Sequence, residues 1–207
     1  SSSAPYGNPK DAPTPPVYKN TFKADLEISI PEYTITSDSD VYRCFPIKVN
    51  VDKFITAFHC IPGKYVHHVL IYTDDSDRCF ELDRLDPEPG YVNYWGIGSP
   101  TEKQIGVWVP GFEPIFYPSG MGQRLEKNII IQVHYAPRSK GQTDQTKFLA
   151  KLGSQTLREL KTEPLINQTD LFLPPGITTV QSSAVIDRKI TMISVFPHMH
   201  LWGKSME

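Results

Sequence analysis

The sequence predicts an all-β protein: an antiparallel jelly-roll sandwich followed by the start of a second, incomplete β-unit. Three observations carry this reading. The 207 residues include 19 prolines, and proline breaks helix interiors by removing a hydrogen bond and clashing with the turn before it. Short runs alternate apolar and polar residues, the period of a half-buried strand. Turn signals punctuate these runs at the spacing of sandwiches and jelly rolls.

Residues 1–22 carry Pro, Ser and Gly with few apolar side chains and read as a Pro-rich, disordered leader behind an upstream signal or anchor. Residues 24–30 (Ala-Asp-Leu-Glu-Ile-Ser-Ile) alternate, and Pro31 ends that strand. Residues 40–49 form a second strand interrupted at Pro46, and residues 54–61 a third, closed by the turn pair Pro62-Gly63. Residues 65–73 form the fourth. Residues 74–90 are acidic and read as turns. Further short strands are expected over 91–95, 105–109, 123–125 and 128–135, with a polar loop over 137–147. Residues 148–160 fit a strand or a helix. A new run of strands then starts near Thr162 and includes 170–173, the turn Pro174-Pro175-Gly176, 180–186 and 190–196. This places a boundary near residue 160. Some 45 residues are too few to close a second sandwich: either the two units share one core or the chain as given lacks part of its second domain, and the second is the expectation.

Several function classes are disfavoured at once. The net charge is −2 and no Lys/Arg run forms a patch, so no nucleic-acid partner is expected. No apolar run reaches the roughly 18 residues of a membrane span. Three cysteines, Cys44, Cys60 and Cys79, contain no CxxC pair. One disulfide and one free thiol is the simplest arrangement in an oxidising compartment, and the sequon Asn167-Gln168-Thr169 fits a secreted chain.

The functional signal is histidine. Five of the six lie in three strand-like segments: His67 and His68 in Val66-His67-His68-Val69, His134 in Gln132-Val133-His134-Tyr135, and His198 and His200 in Pro197-His198-Met199-His200. His59 stands apart and reads as structural. In a strand, residues i and i+2 share a face, so His198 and His200 can grip one metal ion. His67 and His68 are adjacent and point to opposite faces of a regular strand; both reach one ion only where the strand bends or one ring swings round, and otherwise one is a core histidine and the other exposed. His134, taken alone, reads as a core histidine making a hydrogen bond. Imidazole suits Zn, Cu, Fe and Ni. No carboxylate lies near these histidines in sequence apart from Glu207, and the Glu that metal-binding cupins place after an H-x-H is missing, with Lys204 or Ser205 there instead.

The ordered set Tyr42-Arg43-Cys44, His67-His68-Val69-Leu70, Gln132-Val133-His134-Tyr135, Pro174-Pro175-Gly176 and His198-Met199-His200-Leu201-Trp202-Gly203-Lys204 resembles the copper type II, ascorbate-dependent monooxygenases, the family of peptidylglycine α-hydroxylating monooxygenase and dopamine β-monooxygenase. The Phe-Pro-His-Met-His form is closer to bacterial members. The resemblance runs from about Tyr42 to the end. It implies an N-terminal jelly-roll domain over 23–160, in which His67, His68 and His134 bind an electron-supplying copper. It also implies the start of a C-terminal jelly-roll domain over 161–207, in which His198 and His200 bind a second copper where O2 is activated. The family's third ligand there is a downstream Met, to which Met206 is too close to correspond. Gln132 matches a position beside the first site and is a candidate catalytic residue. Cys44 matches a half-cystine, with Cys79 as its partner and Cys60 left over. The implied activity is hydroxylation of a C–H bond of a small molecule with O2 and ascorbate or a similar reductant, in an extracytoplasmic chain. The rival is a copper-binding or electron-transfer protein without oxygenase activity; a third reading is an interaction module with structural histidines. Phe196 stands where the peptide-hydroxylating member has an arginine for its substrate's carboxylate, which points to an apolar or aromatic substrate instead.

Overall fold

A computed structural model of the chain describes residues 23–154, 158–163, 175–176, 179, 181 and 183–197. The chain divides into two compact units, residues 1–162 and 163–207. The first contains β1 (Leu26–Ser29), β2 (Tyr33–Thr34), β3 (Val41–Lys48), β4 (Lys53–Ile61), β5 (Val66–Asp74), α1 (Arg78–Leu85), β6 (Tyr91–Val92), β7 (Lys103–Trp108), β8 (Ile115–Phe116), β9 (Met121–Leu125), β10 (Asn128–Tyr135), β11 (Thr143–Asp144), β12 (Lys147–Gly153) and β13 (Arg158–Glu159).

The fold is all-β, with two main sheets. One runs β1-β12-β4-β9-β13 with β8 also on β4; the other runs β6-β3-β10-β5-β7; β2 and β11 form a separate ribbon. Pairing is antiparallel except between β9 and β13. Consecutive strands β3, β4 and β5 alternate between the sheets, which is how a sandwich shares one core. That core takes Ile28, Ile55, Phe58, Phe148 and Leu125 from the first sheet. From the second it takes Phe45, Val69, Ile71, Ile129, Ile131, Val133 and Tyr135. Each fully buried side chain of this kind contributes about 1.5–3 kcal/mol by leaving water.

β10 sits at the centre of the second sheet, between β3 and β5, and all eight of its residues are buried. Its odd-numbered residues 129–135 face the main core. Its even side is covered differently: Ile130 joins Cys44, Tyr72, Cys79, Tyr91 and Ile97 in a second, smaller apolar cluster, with Leu70 and Leu82 against it.

Leu82 and Cys79 come from α1, where the sequence predicts acidic turns. The stretch Arg-Cys-Phe-Glu-Leu-Asp-Arg-Leu holds no Gly or Pro, and Arg78 pairs with Glu81 one turn on, at 3.2 Å. Its charged residues therefore decorate the solvent side of a short helix whose Cys79 is buried. The ambiguous stretch after residue 147 is strand, as β12 and then β13.

In the second unit no strand forms among the described residues. Residues 183–197 are exposed, Val185 and Val195 strongly so, where strands over 180–186 and 190–196 are expected from sequence. Alternation says which side chains favour burial; a strand also needs a hydrogen-bonded neighbour, which alternation does not supply. His198 and His200 lie outside the described residues, as does most of 164–182.

Candidate metal centre

The first histidine group is assembled by an irregularity in β5. Against β10, His134 pairs with His68, but the next residue, Tyr135, pairs with Val66. Two steps on β5 oppose one on β10, so His67 is the extra residue of a β-bulge. Core membership records the slip: Val66, Val69 and Ile71 all face the main core, a spacing of three and then two. A bulge bends its strand and re-aims side chains. This is the bend that two adjacent histidines need in order to serve one ion.

The three rings meet outside the sandwich core, at the β6-β3-β10-β5-β7 sheet. His67 Nδ1 lies 3.2 Å from His68 Nδ1, and His134 Nδ1 lies 3.3 Å from His68 Nδ1. All three ligand nitrogens fall within 4.8 Å of one another. Imidazole nitrogens about 2.0–2.1 Å from a tetrahedral metal stand about 3.3 Å apart, so the spacings of His67 and His134 Nδ1 to His68 Nδ1 match those of neighbouring ligands on one ion. Among the described residues this is the one group of three or more His, Cys, Asp or Glu that converges so. His67 is exposed, His68 intermediate and His134 buried, which leaves one side of the group open to solvent. The donor set fits copper, and equally zinc, iron or nickel.

β3 supplies the surroundings. Tyr42, the register partner of His134, stacks flat on its ring at 4.1 Å and 9° and meets His68 edge-on. Burial pushes the Tyr42 hydroxyl up, with the Asp40 charge adding to it. Asp40 Oδ1 accepts a hydrogen bond from His134 Nε2 at 2.8 Å. Burial lowers the His134 pKa from its ordinary 6.5; the hydrogen bond to Asp40 opposes this and repulsion from His67 assists it. A neutral ring at pH 7 is the form that binds metal.

Gln132 lies two residues before His134 on the same face of β10. It is 2% exposed, and its Nε2 is taken up by Gly96 O at 2.6 Å, Asn93 O at 3.0 Å and Cys44 Sγ at 3.5 Å. It thus fastens the loop carrying Tyr94 and Trp95. Trp95 is 90% exposed, and Tyr94 packs beside Tyr42. In this setting the Nε2 of Gln132 anchors a loop.

The disulfide expected between Cys44 and Cys79 is not formed: both are free thiols, as is Cys60. Cys44 and Cys79 do share the smaller apolar cluster. Burial there pushes their thiols up, to about 12 and about 11, so each stays protonated and rests on a backbone carbonyl, Gly96 or Ile97. His59 lies in the other sheet, on β4, away from the histidine group.

Sequence reasoning missed Asp40, because it searched for carboxylates near the histidines along the chain and Asp40 is 94 residues from His134. The available signal was parity: Asp40 stands two residues before Tyr42, a residue already singled out. No family model matches the chain, and no curated protein matches it.

Proposed function

We propose that this chain is an extracytoplasmic copper monooxygenase, which hydroxylates a C–H bond of a small organic substrate with O2 and an external one-electron reductant such as ascorbate. The observation that carries this is the convergence of three imidazoles, two of them from neighbouring residues turned to one side by a bulge. Copper, when bound, supplies one-electron chemistry between its two oxidation states. His67, His68 and His134 would hold it. The exposed His67 side gives a small reductant access, while Tyr42 and the buried side of His134 keep the ring neutral and aligned. His198 and His200 would hold a second copper.

The test is metal content with oxygen consumption. Two coppers per chain, with ascorbate-driven O2 uptake that depends on an apolar or aromatic substrate, is the expected result. His134→Ala should remove one copper and leave the other. Loss of all copper from that single change, or no copper uptake by the unaltered chain, overturns the reading. One observation favours an electron-transfer protein as second reading: the described residues hold one three-imidazole group with an open, solvent-facing side. One copper that cycles with ascorbate without O2-dependent turnover would select it.

A further inference from the structure

We propose that Asp40 is the positioning residue of this centre, setting which nitrogen of His134 faces the metal. This rests on the metal-site reading above. A carboxylate only accepts hydrogen bonds, so the 2.8 Å contact requires His134 Nε2 to carry the hydrogen. A neutral imidazole has one donor and one acceptor nitrogen. The lone pair is therefore on Nδ1, the atom 3.3 Å from His68 Nδ1. Tyr42, stacked at 4.1 Å, fixes the ring plane, and Asp40 fixes its rotation and tautomer within that plane. Both residues come from one end of β3, so a single strand terminus orients the buried ligand from two directions. Such carboxylate–histidine pairs make the ligating nitrogen more basic and place a negative charge behind the metal, which favours Cu(II) over Cu(I).

Asp40 is itself 59% exposed as a side chain, so its replacement leaves the core untouched. Asp40→Ala is expected to weaken Cu(II) binding roughly 10–100-fold, measured by chelator competition, to change the Cu(II) EPR spectrum, and to raise the copper potential. Asp40→Asn keeps an acceptor oxygen in place and is expected to recover most of the affinity and the parent spectrum. Thermal melting of the metal-free Ala variant should match the parent. An Ala variant with parent affinity and spectrum overturns the proposal while leaving the site intact, and so does an Asn variant as weak as the Ala variant. A parent chain that takes up no Cu(II) overturns the site reading, and this proposal with it.

Discussion

The two faces of β10 are made by alternate residues of one eight-residue strand, yet they answer to different physics. Ile129, Ile131, Val133 and Tyr135 face the sandwich core. Three of them are aliphatic and need only the right volume, since apolar packing is non-directional. Ile130, Gln132 and His134 face outward, and two of these need named partners: Gln132 holds the carbonyls of residues 93 and 96, and His134 holds Asp40 and His68. The inner face carries stability and the outer face carries the candidate metal ligand His134. Because both belong to a buried central strand, that ligand inherits a rigid platform.

The sharpest way to break this division is to truncate one residue on each face. Ile131→Ala empties a fully buried position and should cost about 2–5 kcal/mol in denaturant unfolding, while the folded fraction keeps its copper affinity. His134→Ala should abolish copper binding at the first site with a far smaller change in unfolding. If the two variants exchange phenotypes, the faces are not separable.

A middle-sized effect is expected at Gln132, which belongs to the outer face and holds two loop carbonyls. Gln132→Ala leaves two loop carbonyls without their donor and should cost about 1–3 kcal/mol. It should also alter the fluorescence of exposed Trp95 while leaving three ligands for copper. Unchanged stability and fluorescence with lost turnover would make Gln132 a catalytic residue after all.

The smallest effect is a pH dependence of the metal-free chain. Burial lowers the folded-state pKa of His134 and of His59 from 6.5. As pH falls below about 6.5 the unfolded chain takes up protons first. Stability from both rings is thus fully present above that value and is lost as pH falls toward the lowered folded values. His134→Gln should flatten the dependence of the urea midpoint between pH 7 and pH 5, and His59 should retain the remainder. A slope unaffected by that change would assign it all elsewhere.

Much of this was legible in the sequence where a signal is local. The alternation in Leu26–Ser29 and the Ile-, Val- and Tyr-rich run of Ile129–Tyr135 each announce a strand, because period-two alternation and β-branched or aromatic side chains both suit a pleated backbone. The concentration of histidines in three strand-like segments was legible in the sequence, whereas the grouping of His67, His68 and His134 came only from the family resemblance; parity showed that the adjacent pair needs a bend or a swung ring to share one ion. The helix Arg78–Leu85 was not legible, since Asp and Glu serve turns and solvent-facing helix sides alike.

By itself, then, the chain's residue order determined that it would be all-β and that three histidine segments stood out. Only the tertiary structure decided that β5 would slip by one residue against β10 and turn His67 beside His68, and that Asp40 would close on a ring 94 residues away. The reason is that periodicity is set residue by residue along one strand, whereas register and long-range partners are settled between strands, by how two sheets share a core.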